Sequence, residues 1–167
     1  VSTAAETNNV WDAYHLNSVG LTDDPEAILV SGRSTATIYR IDKQTGQIVW
    51  QLGGKRSDFV IESGAQFSWQ HDARWLPNDM VSLFDDGCCE TQTVPPDTPF
   101  SHGLKLQLNF STMTASLSSE YYHAPNVIVP SQGSAQILPN GNFLIGWGAG
   151  PYYSDMRRPA TTATILL

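Results

Sequence analysis

Two histidines stand out among the residues that could do chemistry: His71 in "FSWQHDARW" and His15 in "WDAYHLNSV". An imidazole exchanges protons near neutral pH and, with one nitrogen held as N–H, presents the other as a nucleophile. His71 is flanked by Trp69 and Trp75, so a hydrogen-bonded, packed histidine is the competing reading. Asn17, two residues after His15, lies on the same face of an extended strand as His15. Arg33 in "VSGRS" adds a permanent cation with a planar donor fork. Asp72 is adjacent to His71 and falls on the opposite face, where Arg74 is its natural partner.

What must position these groups is a run of short strands. "AILVSG", "ATIYRID", "QIVWQL", "MVSLF", "GLKLQLN", "NFLIGW" and "TATILL" are separated by turn sequences such as "TDDP", "KQTG" and "PNGN". Helical periodicity is nearly absent, so the chain is all-β. A repeat of strand, turn, strand, loop, strand, turn, strand covers about residues 12–53, 70–122 and 131–167. Aligned on polar residues, His15, His71 and Gln132 take the same place in the three copies, 56 and 61 residues apart. A four-stranded unit at this period is the signature of a β-propeller blade, whose first strand lines a central channel. A β-sandwich leaves the repeat unexplained. Repeat equivalence then brings His15 and His71 together at the channel, with Arg33 at a loop of the same end. The third copy shows no recognisable fourth strand. About three blades are present, fewer than the roughly four to eight of a ring. The expectation is that missing blades come from the same precursor or from another chain.

Bulk properties narrow the partners. The 167 residues are 41% hydrophobic and 15% charged, a globular composition with net charge -7. An acidic chain without a basic run suits neither nucleic acid nor, lacking an apolar run of about 20 residues, a membrane span. The chain opens "VSTAAETNN" and is read as processed or partial. Adjacent Cys88 and Cys89 match no zinc or redox spacing and rarely bridge each other. With the sequon Asn109-Phe110-Ser111, a candidate glycosylation site, they favour a secreted or extracytoplasmic setting. His102 and His123 are expected at the surface, and the pairs Asp23-Asp24 and Asp85-Asp86 in turns. Gln132 and Trp147 are candidate substrate contacts. Trp147, with Tyr152 and Tyr153, suits packing between blades equally well.

"WDAYHLNSV", "ILVSGRSTATIYRID", "GQIVWQLGG", "FSWQHDARWL" and "VSLFDDG", in this order over most of residues 10–150, resemble the arylsulfotransferase family, its fungal and actinobacterial branch in particular. The resemblance implies a six-bladed propeller and sulfuryl transfer from a phenolic sulfate ester to a phenolic acceptor, with no nucleotide donor, cofactor or metal. It implies His71 as the nucleophile that carries the sulfuryl group. His15 and Asn17 in "HLN" and Arg33 in "SGR" match the family's other site residues. His15 is then the acid and base, and Asn17 and Arg33 hold the sulfuryl oxygens. The bacterial branch carries a histidine after the arginine where this chain has Ser34, and a further family histidine has no counterpart here. These departures sustain the alternatives: a non-catalytic propeller that binds a glycan, an anion or another protein, or a structural fragment of a larger propeller.

Overall fold

The computed structural model describes residues 12–87 and 99–157, and the backbone of 161–166. Cys88 and Cys89 lie outside the described residues. Four strands, β1 (Leu16–Leu21), β2 (Ala27–Gly32), β3 (Thr37–Asp42) and β4 (Ile48–Gly53), follow one another through tight turns. The β3–β4 turn illustrates why they close where they do. The Asp42 carboxylate accepts hydrogen bonds from the Gln44 and Thr45 amides, and Gly46 supplies a positive φ of 70°. The chain then crosses through β5 (Val60–Ile61) to β6 (His71–Leu76), β7 (Met80–Asp85), β8 (His102–Asn109) and β9 (Thr114–Tyr122). It ends in β10 (Ser134–Ile137), β11 (Phe143–Gly146), β12 (Tyr152–Arg157) and β13 (Thr161–Leu166).

These strands make three sheets, ordered β1-β2-β3-β4, β5-β9-β8-β7-β6 and β10-β11-β12-β13. All neighbours are antiparallel except β5, which pairs parallel with β9. The first strands β1, β6 and β10 lie side by side in succession. This is the arrangement of three consecutive β-propeller blades, as the repeat predicts.

The middle sheet is buried on both faces. Along β7, Val81 and Leu83 enter one core with Leu29, Ile38 and Leu52 of the first sheet. Phe84, on the opposite face, enters a second core with Phe143, Ile145 and Trp147 of the third. Close approach selects glycine at position 103, where a Cβ would lie 2.8 Å from Ile145.

Two expectations need correction. The third sheet has a full set of four strands. Tyr152–Arg157 is its third strand, and Thr161–Leu166 is its fourth. "YYSDMR" hides this because its buried face is Ser154 and Met156 rather than an apolar run. The repeat register also slips by one residue. β1 and β6 start at Leu16 and His71, an offset of 55, and each has an irregularity just after its start. The Ala73 and Ala135 amides occupy matching places, donating to Ser18 Oγ and Asp72 Oδ2 of the preceding sheet. The equivalent residues are therefore His15, Gln70 and Gln132. Matching histidine to histidine moved the copies one step apart, and one step reverses a strand's faces.

The first sheet keeps one face open among the described residues. Ser18 and Gly20 turn toward the second sheet, while Leu16, Val19 and Leu21 are 60%, 68% and 77% exposed and Val49 is 55% exposed. A contiguous apolar sheet face drives association. The 167-residue chain is expected to self-associate through it. Sedimentation velocity should move toward monomer in a Val19→Lys, Leu21→Lys double variant, and an unchanged distribution would assign the association to another surface.

Candidate active site

His15 and Arg33 are brought together by the backbone of the first sheet. The Arg33 amide donates to the His15 carbonyl at 3.1 Å and the Ser34 amide to the Tyr14 carbonyl at 3.1 Å. His15 therefore sits at the start of β1 directly across from the end of β2. Its Nδ1 contacts the Asp12 carboxylate, an acceptor only, so the Nδ1 hydrogen belongs to that contact and Nε2 is left for other work. Arg33 Nη1 lies 3.4 Å from the same Nδ1. Two donors cannot bond each other, so this is proximity rather than a hydrogen bond.

The Arg33 guanidinium carbon lies over the Trp69 ring, 3.7 Å from its centroid. Its Nε is buried without a partner. Burial lowers the Arg33 pKa from its ordinary value, opposed by the nearby carboxylates of Asp86 and Asp12. The group remains a cation with a donor unspent.

His71 begins β6 and is buried. Its Nδ1 is 3.0 Å from the Trp69 carbonyl and 3.3 Å from the Asp86 carboxylate. A carbonyl only accepts, so Nδ1 carries the hydrogen and Nε2 carries the lone pair. The Asp86 oxygens have no hydrogen bond of good geometry, because the Nδ1 hydrogen is directed at Trp69. The 3.3 Å approach of His71 Nδ1 still favours the Asp86 carboxylate, through its N–H and through charge. Asp86 is fully buried, and that burial pushes its pKa up to about 6, opposed by His71, Arg33 and His15. The His15 and His71 rings face each other edge to face with centroids 6.5 Å apart. They come from different sheets and leave a gap between their rings rather than a contact.

Asn17 is half-buried, and its amide donates to the Gln70 carbonyl at 2.8 Å, which fixes which end is nitrogen. Gln70 is the latch between the first two sheets. Its buried Nε2 lies within 3.1–3.2 Å of Ser31 Oγ and the carbonyls of Gly32 and Thr37. His15, Asn17, Arg33 and His71 thus meet at one strand-end rim. Asp72 turns away, as its position in the strand predicts, and pairs with Arg74 at 3.0 Å. Gln132 is exposed at the start of the third sheet. Trp147 is fully buried, with Nε1 donating to Ser154 Oγ at 2.8 Å, in the packing role the sequence also allowed. Asn109 is exposed at the β8–β9 turn, its Oδ1 accepting from the Ser111 and Thr112 amides.

His102 and His123, expected at the surface, are buried. His102 stacks on Tyr122 with its Nδ1 2.9 Å from the Phe100 carbonyl. His123 packs against Trp147 and Tyr152. Sequence reasoning missed Asp12 and Asp86, the two carboxylates at the histidines. Asp86 was hidden in "DDG", which has the composition of a turn. A signal existed in the pairing of β6 with β7, which sets the end of "VSLFDDG" beside His71.

The solved structures similar to this chain include a protein of unknown function from Bacteroides caccae, with TM-score 0.55 and 16% identity. The match covers 92% of this chain and 46% of that one. The hydrazine synthase of Kuenenia stuttgartiensis matches with TM-score 0.50 and 8% identity over 89% of this chain and 35% of that one. The chain thus spans less than half the length of these structures, and at such identities the likeness is one of fold. No curated protein matches the sequence. The family model described as Arylsulfotransferase (ASST) matches residues 1–156. The chain belongs to the arylsulfotransferase family.

Proposed function

We propose that this rim transfers a sulfuryl group from a phenolic sulfate ester to a phenolic acceptor through a sulfohistidine on His71. The observation that carries the reading is the His71 ring. Its Nδ1 is committed to the Trp69 carbonyl, so Nε2 is the free nucleophile, with the His15 ring centroid 6.5 Å away and Arg33 beside His15. In the first step Nε2 forms a bond to sulfur as the sulfur–aryl oxygen bond breaks. The phenolate takes a proton from His15 Nε2, whose other nitrogen the Asp12 carboxylate holds. The ring of the sulfated imidazole is positive and its sulfuryl group negative, and the buried Asp86 carboxylate 3.3 Å from Nδ1 offsets the ring's charge. In the second step His15 takes the acceptor's proton, the phenol oxygen bonds to sulfur, and the nitrogen–sulfur bond breaks. Arg33 and the second amide hydrogen of Asn17 hold the sulfuryl oxygens, on which charge accumulates. Further blades, of the same precursor or another chain, complete the ring against the open apolar face of the first sheet, and small phenols are the partners of the rim.

Mass spectrometry of protein quenched after exposure to 4-nitrophenyl sulfate should find a sulfuryl group on the peptide bearing His71. His71→Ala should abolish the adduct and lower turnover by roughly 10³-fold or more. Arg33→Gln should keep the adduct and slow its formation by about 10²–10³-fold. Full turnover by His71→Ala would overturn the assignment. Sulfate binding without adduct or turnover would favour the anion-binding module.

Asp86 gives a second test with a definite sign. Its folded pKa of about 6 lies above the ordinary carboxylate value of roughly 3.9, so the folded state binds this proton more tightly than the unfolded state. Stability from this group therefore falls as pH rises from about 4 through about 6 and is level above that, a change on the order of 3 kcal/mol. Asp86→Asn should remove that slope and raise the unfolding midpoint at pH 8 while leaving pH 4 little changed. The same variant should slow adduct formation only about 10-fold. That is far short of the roughly 10⁴ lost where an aspartate sets the tautomer, because the Trp69 carbonyl still sets it here.

A further inference from the structure

We infer that Trp69 is the positioning residue that couples the two halves of this site, its carbonyl fixing the His71 tautomer and its indole carrying the Arg33 guanidinium. The inference rests on the proposed transfer for the reaction it serves, but its geometry stands apart from any chemistry. Trp69 has a φ of 56°, in the left-handed region that bulky residues avoid. If the backbone alone needed that conformation, glycine would meet the need at no steric cost.

The carbonyl contact does not need it either. The His102 ring accepts the same restraint, with Nδ1 2.9 Å from the carbonyl two residues back, and Phe100 at that position is not among the left-handed residues. What the unusual backbone adds at Trp69 is the place of its ring. It lies under Arg33 at 3.7 Å while its carbonyl stays on His71 at 3.0 Å. The indole Nε1 is buried without a partner, so the N–H does not explain the residue. The aromatic face does. An arginine side chain is long and loses much rotamer freedom when it is fixed, and a flat ring beneath it holds its donor fork in one orientation. Strained backbone that persists because its surroundings determine it is characteristic of sites that pre-organise a ligand.

The experiment measures inorganic sulfate affinity by calorimetry and the His71 tautomer by ¹⁵N NMR, on the whole 167-residue chain. Trp69→Leu should weaken sulfate binding roughly 5- to 10-fold, the scale of a lost cation–π contact. Trp69→Phe should recover most of it. In both variants the Nδ1–H tautomer of His71 should persist, because the carbonyl remains. Trp69→Leu combined with Arg33→Gln should be no worse than Arg33→Gln alone. Additive losses in that cycle, or a wild-type chain without sulfate affinity, would overturn the inference. Trp69→Phe serves where Trp69→Leu does not fold, and a 5- to 10-fold loss in the phenylalanine variant would also count against it. If coupling is found and no sulfuryl adduct ever forms, the proposed transfer fails while the positioning role stands.

Discussion

The contact on which the site depends is the Gln70 carboxamide, buried between the first two sheets. Its nitrogen reaches Ser31 Oγ and the carbonyls of Gly32 and Thr37, and the backbone carbonyl of Gln70 receives the Asn17 amide. One residue thereby bonds to strands β1, β2 and β3 of the neighbouring blade. Its sequence neighbours on either side are Trp69 and His71. Fixing Gln70 against the first sheet consequently fixes the nucleophile and the Arg33 platform against His15. Replacing the carboxamide by an apolar group would take a donor from the buried Thr37 carbonyl, at a cost of about 1–3 kcal/mol for an acceptor left unsatisfied, while the Gly32 carbonyl keeps the Thr35 hydroxyl. A latch of this kind holds the sheets in register more strictly than apolar packing, which tolerates sliding.

The electrostatics follow from that packing. Asp86 is buried at the end of β7, where three groups able to carry positive charge surround it: His71, Arg33 and His15. Desolvation is the largest influence on it, and the surrounding groups only partly offset it. Within an acidic chain of net charge -7 the rim mixes both signs, with Arg33 and two imidazoles set beside the carboxylates of Asp12 and Asp86. Anion recognition at this rim therefore relies on short-range donors such as the unspent Arg33 Nε and not on net charge.

The strand pattern, the blade repeat and the meeting of His15 with His71 were legible in the sequence, because turn residues and alternation are local signals. The reason given for that meeting was not sound. Histidine matched to histidine puts the copies out of register by one residue, and the true equivalents are His15 and Gln70. The two rings nonetheless face each other from neighbouring sheets, and each strand is irregular just after its start. β12 stayed hidden because small and sulfur-bearing side chains fill its buried face. Asp12 and Asp86 stayed hidden because an acid in a turn-like sequence looks the same whether it closes a turn or faces a histidine. Their roles depend on which strand ends meet, a property of the sheet pairing and not of the local chain.

The distribution of backbone strain separates turn formation from function within this fold. Among the described residues, the left-handed positions Asn78, Asp79 and Met113 lie at hairpin tips, and Asn and Asp accept that conformation readily. Ala36 closes the β2–β3 turn, its amide donating to the Arg33 carbonyl, whereas His15, Trp69, Asp72 and Gln132 lie at or just before the starts of the inner strands. No tight two-residue hairpin demands them there. At this rim each of His15, Trp69 and Asp72 directs a side chain one way and a backbone carbonyl or neighbour another. His15 faces Asp12 while its carbonyl takes the Arg33 amide, and Trp69 faces Arg33 while its carbonyl takes His71. Asp72 turns out to Arg74 and to the Ala135 amide of the next sheet, which frees the preceding residue to face the rim. The same kinks that make the inner strands irregular are therefore what allow residues from two separate sheets to converge on one gap.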